Sequence, residues 1–294
     1  SRFFVSIGVD YIVYIPDRIK EGYGPNITAF EKLKNDGVSV IITVDCGTTA
    51  FEPLSFGKSI GLDVIIVDHH IAEVGLPNAV AVINPNRLDE ESRHTQLAAV
   101  GVSFLLIVAL NRALRENGFF IKNSVIREPN LMNLLDIVAL GTVADMVPLT
   151  GVNRALVVQG LKVMAKRRNK GLSALADVAG MDEAPSTYHL GFLMGPRVNA
   201  GGRVGQANLG AKLLSTENSQ EALDIAQKLD AYNAERREIE AAVLEEALVL
   251  AEIKAKEKTS QSLVFIVGKN WHPGVIGIVA SRLKERYGLP ACVL

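Results

Sequence analysis

Cysteine is nearly absent from this chain of 294 residues, which contains only Cys46 and Cys292. Two cysteines so far apart in sequence exclude a disulfide framework and a Cys-x-x-Cys zinc site, and they predict a reducing cytoplasm as the location. The sequence also has no apolar run of the roughly 20 residues that a membrane helix needs. Its longest run, residues 98–110, is interrupted by Gly101 and Ser103. We therefore expect no membrane association and interpret this run as a buried helix.

An excess of charge of either sign is missing too, because the net charge is −1 and 21% of the residues are charged. This balance excludes a disordered chain and a general electrostatic attraction to nucleic acid, so contacts with phosphate would have to come from local groups of arginine and lysine. Hydrophobic residues make up 48% of the chain, enough for one large domain or two smaller ones. The chain starts at Ser1 and stops in an apolar run at 290–294, and we interpret it as part of a longer protein.

Short, β-branched apolar runs alternate with helical patterns in the first third of the chain. Such nearly continuous runs are typical of strands buried on both faces of a parallel sheet. Gly37 and Gly61 stand where the intervening helices should end. The pattern predicts an α/β fold with right-handed crossovers. The predicted strands are residues 10–15, 38–44, 62–67 and 79–83, and the predicted crossover helices are residues 26–36 and 48–60.

The rest of the chain predicts a helical region, a long helix and a second α/β unit. Residues 98–214 carry repeated 3.6-residue apolar periods, with predicted helices at 100–116, 131–140, 153–167 and 172–179. Residues 219–258 contain neither glycine nor proline, which predicts one uninterrupted connecting helix. A strand at 262–267 and a helix at 275–287 then begin a smaller domain. The predicted division is a domain at 1–215, a connecting helix at 216–258 and the start of a second domain at 259–294.

Acids and histidines follow the predicted strands at the points where those strands end. Asp45 follows the second strand, and Asp68, His69 and His70 follow the third. Each has a plain structural interpretation: a lone aspartate such as Asp45 or Asp145 is usually a cap or turn former, and paired histidines can be hydrogen-bonded structural residues. Gathered at one sheet edge, however, carboxylates and imidazoles repel and lose hydration unless a cation neutralises them. The pattern therefore predicts a divalent-metal site for the hydrolysis of phosphate esters.

A family resemblance supports this interpretation. The motifs Val-Asp-Cys-Gly at 44–47, Asp-His-His at 68–70 and Gly-Thr-Val-Ala-Asp at 141–145 resemble, in order and spacing, successive motifs of the DHH phosphoesterases. Further matches to the single-strand-specific exonucleases of this family lie at residues 18–24, 83–86, 195–203 and 271–282. The resemblance covers nearly the whole chain.

The resemblance implies a role for each residue of the metal site. Asp45 would bridge two metal ions, His69 and Asp145 would be further ligands, and His70 would lie beside the metals and the scissile phosphate. Asp68 would orient its neighbours rather than bind an ion. Oxygen and imidazole ligands without thiolate favour Mn²⁺ or Mg²⁺, and two ions would act together in hydrolysis.

Substrate-binding candidates lie further along the chain. In the segment 195–203, Arg197 and Arg203 could offer forked donors to phosphate, with Asn199 as a neutral partner. His272 precedes a helix whose N–H groups favour an anion, and Ser281 lies about two turns into it. The plain alternatives are a glycine-rich turn with solvated arginines and a helix start with an exposed histidine.

The resemblance implies an exonuclease that digests single-stranded DNA from 5′ to 3′ in repair and recombination. It also implies partners, namely single-stranded DNA, a single-strand-binding protein and a helicase. Two alternatives remain open at this point. One is a phosphoesterase for short oligonucleotides or cyclic dinucleotides, and the other is a non-catalytic replication scaffold of the same fold.

One family segment has no counterpart in this chain. The family begins its metal site with an Asp-x-Asp-Gly segment on a strand before residue 1, and Asp10 and Asp17 do not replace it. We therefore expect these 294 residues to bind metal weakly and to cleave little.

Overall fold

The structure, a computed structural model, describes residues 1–17, 21–257 and 262–294, with the backbone alone at 255–257. Over these ranges the chain forms strands and α-helices in a mixed order. The strands are β1 (Val40–Val44), β2 (Asp63–Val67), β3 (Ala81–Ile83), β4 (Val264–Ile266) and β5 (Ala291–Val293). The helices are α1 (Arg2–Ser6), α2 (Ile27–Asn35), α3 (Phe51–Ser59), α4 (Ala99–Glu116), α5 (Phe119–Lys122), α6 (Leu135–Ala144), α7 (Gly151–Met164), α8 (Lys170–Val178), α9 (Gly195–Val204), α10 (Leu209–Ser215), α11 (Ser219–Glu257) and α12 (Pro273–Tyr287).

The first sheet is parallel, as predicted, in the order β1-β2-β3. Asn26 starts the first crossover helix, α2, because its side chain accepts a hydrogen bond from the Ala29 N–H. The helices α2 and α3 end just before Gly37 and Gly61, whose φ angles of 84° and 72° lie in the left-handed region that glycine adopts without strain. The α/β fold class and both crossover helices are therefore confirmed.

The strand predicted at residues 10–15 is wrong. This segment forms no strand, and Tyr11, Ile12 and Val13 are exposed. A β-branched run becomes a strand only when a neighbouring strand accepts its hydrogen bonds and a second layer buries its side chains. Within the described residues β1 is the edge of the sheet, and Val40 and Val44 on it are exposed.

The long predicted helix is present as α11 and packs against two separate cores. Its first half contributes Ile225 and Leu229 to a core shared with α6 to α10. Its second half contributes Val243 and Ala247 to a core with β4, α12 and β5, whose two strands are parallel. Burial at both ends gives the helix a stability that propensity alone would not provide. The division into domains at 215 and 258 stays a prediction.

Two irregular turns modify the predicted helical region. A 3₁₀ turn at Leu131–Leu134 precedes α6, and a π-helix at His189–Met194 precedes α9. In the motif at 18–24, residues 18–20 lie outside the described residues. None of the helices that the structure describes is long and apolar enough to cross a membrane.

Candidate metal centre

Three side chains that are distant in sequence meet at the carboxyl ends of β1 and β2. The register pairs Val44 with Val67, so the residues that follow the two strands lie side by side. The Nε2 atom of His69 is 3.2 Å from Oδ1 of Asp45 and 3.4 Å from Oδ2 of Asp145. Functional groups commonly collect at this edge of an open parallel sheet. The structure thus brings together the three residues predicted as metal ligands.

Asp45 reaches this position through a strained turn. Its φ angle is 62°, in the left-handed region that aspartate tolerates better than most residues. Gly47 follows with φ 112°, and a Cβ atom there would lie 2.8 Å from Oγ1 of Thr43. The Thr43 hydroxyl donates a hydrogen bond to the Cys46 carbonyl and closes the turn. Backbone strain of this kind is concentrated at functional sites.

Asp145 is held at the C-terminus of the buried helix α6. Its N–H donates to the Gly141 carbonyl, as expected at a helix end. Gly160 on α7 lets the two helices approach closely, since a Cβ atom there would lie 2.2 Å from the Leu135 carbonyl oxygen. The position of the Asp145 carboxylate is therefore set by rigid helix packing rather than by a loop.

Asp68 lies beneath the cluster and orients the two histidines. It is 1% exposed, and its Oδ1 accepts hydrogen bonds from the His69 N–H, the His70 N–H and Nδ1 of His70, the last at 2.6 Å. Its Oδ2 accepts from the N–H and the hydroxyl of Thr48. When the Nδ1–H group of His70 donates to Asp68, the other ring nitrogen of His70 has a lone pair that can bind a metal ion or accept a hydrogen bond.

The pKa of the Asp68 carboxyl reflects this network. Burial raises the pKa, but the hydrogen bonds from Thr48, from His70 and from the His69 amide outweigh burial and lower it to about 2. Asp68 is therefore ionised at every physiological pH and stays a hydrogen-bond acceptor for the histidines.

Two asparagines complete the support of the histidine pair, and our sequence analysis did not assign them to the site. Nδ2 of the buried Asn84 donates to the Thr48 hydroxyl and to the His70 carbonyl. Nδ2 of Asn86 donates to the His69 carbonyl at 2.5 Å. The sequence signal for both was the Asn-Pro-Asn turn directly after β3. Amide side chains placed there can hydrogen-bond to the backbone at the end of a neighbouring strand.

The electrostatics of the cluster favour a positive charge between the carboxylates. The hydrogen-bonding contact with Asp45 raises the pKa of His69, burial opposes this, and the Asp145 charge raises it further. Burial raises the pKa of Asp145, and His69 opposes that shift. A protonated imidazole is thus favoured between the carboxylates.

The donor set fits a hard divalent ion. Oδ1 of Asp45 is shielded from solvent and makes no hydrogen bond of good geometry, although it lies against His69. Among the described residues, one group of side chains could hold a metal ion, with ligand atoms that all lie within 4.8 Å of one another: Asp45, His69 and His70. Asp145 contacts this group through His69. Burial and the neighbouring Asp68 and Asp45 raise the pKa of the Cys46 thiol to about 11, so it stays protonated. Oxygen and imidazole donors without thiolate suit Mn²⁺ or Mg²⁺.

The glycine-rich segment at 195–203 is helical, so its interpretation as a turn is wrong. It forms the helix α9 with Pro196 in the first turn. Its Gly201 serves packing, since a Cβ atom there would lie 2.7 Å from the Gln206 carbonyl oxygen and 3.2 Å from Leu229. A helix can carry these glycines because close packing against α11 compensates their low helix propensity.

The arginines of α9 are anchored rather than solvated. Nε of Arg197 lies 2.8 Å from Oδ1 of Asp230, and its guanidinium also donates to the Leu193 carbonyl. The Arg203 guanidinium donates to the Gly274 carbonyl at 3.1 Å, which joins α9 to α12. Asn199 is exposed. Binding of substrate by Arg197, Asn199 and Arg203 stays a prediction.

The remaining two substrate-binding candidates lie at the start of α12 and within it. His272 is the N-cap of this helix, and its Nδ1 accepts a hydrogen bond from the Gly274 N–H. Ser281 is exposed, about two turns further on. The structure gives His272 a capping role, and a phosphate contact by either residue stays a prediction.

Comparison with known proteins agrees with this geometry. The model of the DHH family, N-terminal domain, matches residues 2–142. The chain is 42% identical over 291 residues to the single-stranded-DNA-specific exonuclease RecJ of Salmonella typhimurium, an alignment that covers 97% of this chain and 50% of that protein. The chain spans about half the length of such curated relatives.

Solved structures agree as well. The crystal structure of exonuclease RecJ bound to manganese has a TM-score of 0.84 and 31% identity, over 100% of this chain and 70% of the other. RecJ from Thermus thermophilus in complex with Mn²⁺ has a TM-score of 0.80 and 30% identity, over 100% of this chain and 40% of the other. By its motifs, its fold and these identities, the chain belongs to the RecJ family of DHH proteins.

Proposed function

We propose that this chain hydrolyses phosphodiester bonds of single-stranded DNA from the 5′ end and uses two Mn²⁺ or Mg²⁺ ions at the site of Asp45, His69 and Asp145. The observation that carries the proposal is the shielded Asp45 oxygen without a good hydrogen bond, which lies 3.2 Å from His69, itself 3.4 Å from Asp145. Such an oxygen is costly unless a cation or a proton occupies the space beside it. Relatives that are named as single-stranded-DNA-specific exonucleases support the reaction type.

Each side chain has a distinct part in this proposal. Asp45, His69 and Asp145 would hold the ions, which when bound supply an activated water and charge neutralisation at the phosphate. Asp68 keeps the proton at Nδ1 of His70 and so fixes the ring. His70, whose side chain is 52% exposed, is accessible to a substrate phosphate. Its free ring nitrogen can bind an ion or hydrogen-bond to the phosphodiester.

We propose a polymer substrate because candidate phosphate contacts lie on two adjacent helices, α9 and α12. The carbonyl of Gly274 accepts from Arg203, and a Cβ atom on Gly274 would lie 2.3 Å from the Arg203 carbonyl oxygen. The end of α9 and the start of α12 are thus in direct contact, which allows one strand to contact both. We infer a cytoplasmic location, supported by free thiols at both cysteines. A single-strand-binding protein and a helicase are the partners that we propose from family membership.

The test is release of nucleotide from 5′-labelled single-stranded DNA in the presence of Mn²⁺. From a version that includes the Asp-x-Asp-Gly segment we expect labelled mononucleotide, and from these 294 residues alone only a little. Asp45→Ala should abolish the product in both. Asp63→Ala is the matched control, because Asp63 is an exposed aspartate at the start of β2.

Three results would count against the proposal. They are equal digestion of blunt duplex DNA, indifference to a chelator, and faster hydrolysis of a cyclic dinucleotide than of single-stranded DNA. The last result would favour the small-substrate alternative.

A further inference from the structure

Exposed aromatic rings are few among the described residues, and three of them lie on segments that contact the metal centre or its immediate neighbours. Aromatic residues make up 6% of the chain. Among the described residues, the rings that are more than half exposed belong to Tyr23 (69%), Tyr188 (60%) and Phe192 (67%). One exposed ring needs no explanation, but a cluster beside a functional site indicates a ligand surface.

Tyr188 and Phe192 form a pair of nearly parallel rings. Their centroids are 5.1 Å apart and their planes differ by 30°. The ring of His189 lies edge-on to Tyr188 at 5.9 Å, and its Nδ1 accepts a hydrogen bond from the Ser186 N–H. The pair therefore presents flat apolar faces whose orientation is set by neighbouring contacts.

The backbone beneath this pair is a π-helix with rigid anchors. The π-helix His189–Met194 belongs to a rare class that is frequent at functional sites. Leu190 and Met194 on its inner side are fully buried. Arg197 fixes the far end, because its guanidinium donates to the Leu193 carbonyl and pairs with Asp230 on α11. The two rings are thus mounted on a preorganised support.

The inner side of the π-helix packs on the last turn of α6, which leads directly into Asp145. A Cβ atom on Gly191 would lie 3.5 Å from Val143, and one on Gly195 would lie 3.3 Å from the Ala144 side chain. At the turn after β1, the Tyr23 hydroxyl donates to the Asp45 carbonyl at 3.1 Å. The segment that carries Tyr188 and Phe192 therefore packs on the turn that leads into Asp145, and Tyr23 contacts Asp45 itself.

We propose that Tyr188 and Phe192 form a stacking platform for unpaired bases next to the scissile phosphate. The inference rests on the proposed function and specifies how that site would hold its substrate. Aromatic faces bind bases of any sequence, because every base has a π face. A base within a duplex is already stacked and paired, so the platform accepts single-stranded DNA and discriminates against duplex. The fixed support reduces the entropy lost on binding.

The test measures binding without cleavage. With EDTA present, we compare the affinity of the chain for labelled oligothymidylate and for an abasic oligonucleotide of the same length. The expected effect of Tyr188→Ala or Phe192→Ala is roughly tenfold weaker binding of oligothymidylate, from the usual contribution of one stacked base, with no change for the abasic chain. Phe265→Ala is the matched control. Phe265 is an exposed aromatic residue on β4, and its ring lies under the Lys254 ammonium group.

A second readout reports stacking directly. In Phe192→Trp, oligothymidylate should quench the added tryptophan fluorescence and bind with wild-type affinity, while the abasic chain should leave the emission unchanged. Mn²⁺ affinity and thermal stability should match the wild type in all variants, which separates loss of the platform from loss of the fold or of the metal centre.

Several outcomes overturn the proposal. One is unchanged affinity for oligothymidylate in both alanine variants, and another is an equal loss for the abasic chain. Dissociation of a homodimer with unchanged DNA binding would identify the rings as a protein interface. A wild-type chain that binds Mn²⁺ but no oligonucleotide would refute both the platform and the DNA substrate. Retained stacking without Mn²⁺-dependent cleavage, in a version that includes the Asp-x-Asp-Gly segment, would refute the proposed reaction alone.

Discussion

Replacement of Asp68 by asparagine tests whether a buried carboxylate organises the metal centre. Asp68 accepts five hydrogen bonds, three on Oδ1 and two on Oδ2. Asparagine has the same shape but only one acceptor oxygen. If that oxygen faces His69 and His70, the new amide nitrogen faces the Thr48 N–H, so two donors oppose each other. The substitution therefore removes the Thr48 contacts and the negative charge while the volume stays unchanged.

Two estimates of the magnitude agree. A hydrogen bond to a charged group contributes about 1.5–3 kcal/mol, so the loss of the Thr48 contacts and partial compensation by the amide predict a cost of about 3 kcal/mol. Independently, the fall in the Asp68 pKa from 3.8 to about 2 corresponds to about 2 kcal/mol of preference for the folded, ionised form. For a chain of this size, a loss of about 2–3 kcal/mol lowers Tm by roughly 5–10 °C.

Acidification should reduce the stability difference between the wild type and Asp68→Asn. The folded-state pKa of Asp68 is depressed, so its contribution to the free energy of unfolding is complete above about pH 4 and is lost as pH falls towards about 2. The stability difference between wild type and Asp68→Asn should therefore shrink over that range. Above it, the difference should be constant.

The assay combines urea unfolding without metal and titration with Mn²⁺. We expect Asp68→Asn to weaken Mn²⁺ binding roughly 10- to 100-fold, the usual effect of removing a group that orients a ligating histidine. Asp63→Asn, at an exposed position, should leave both measurements unchanged. Wild-type Mn²⁺ affinity and stability in Asp68→Asn would refute the role of Asp68.

Four further variants test the packing and the hydrogen bonds around the site. Gly47→Ala should lower the free energy of unfolding by about 1–3 kcal/mol and reduce Mn²⁺ affinity, because φ is 112° and a Cβ atom would lie 2.8 Å from the Thr43 hydroxyl oxygen; calorimetry and Mn²⁺ titration measure both. Asn84→Ala should cost about 1–3 kcal/mol in urea unfolding, since the Thr48 hydroxyl and the His70 carbonyl lose a buried donor. Gly160→Ala should destabilise the α6–α7 contact, whereas Gly202→Ala, with nothing within 4 Å of its Cβ position, should stabilise α9 by up to about 1 kcal/mol; a fall in Tm for both would contradict the packing argument.

Much of the architecture follows from local patterns in the sequence. The crossover helices between the strands are confirmed because glycine at 37 and 61 and the cap at Asn26 act within a few residues of each helix end. The parallel sheet follows from β-branched runs that are apolar on both faces. The helix α11 follows from an uninterrupted run without glycine or proline. The order of the motifs also indicated which residues meet at the metal centre.

Residues 10–15 and 195–203 show where such patterns fail. The first has a strand composition but no partner strand in the described residues, and the second has three glycines yet is helical because α11 packs closely against it. In both segments a distant part of the chain decides the conformation. Local propensity amounts to less than about 1 kcal/mol per residue, so packing overrides it.

The sequence by itself determined the α/β class, the order of the elements and the set of acids and histidines at the strand ends. Only the tertiary structure decided that Asn84 supports His70, that Arg197 pairs with Asp230, and that Tyr188 and Phe192 stack on each other. The physical reason is the distance along the sequence over which each interaction acts. Periodicity and capping act over a few residues and are written in the local sequence, whereas hydrogen bonds and ring contacts between distant segments depend on how the helices pack.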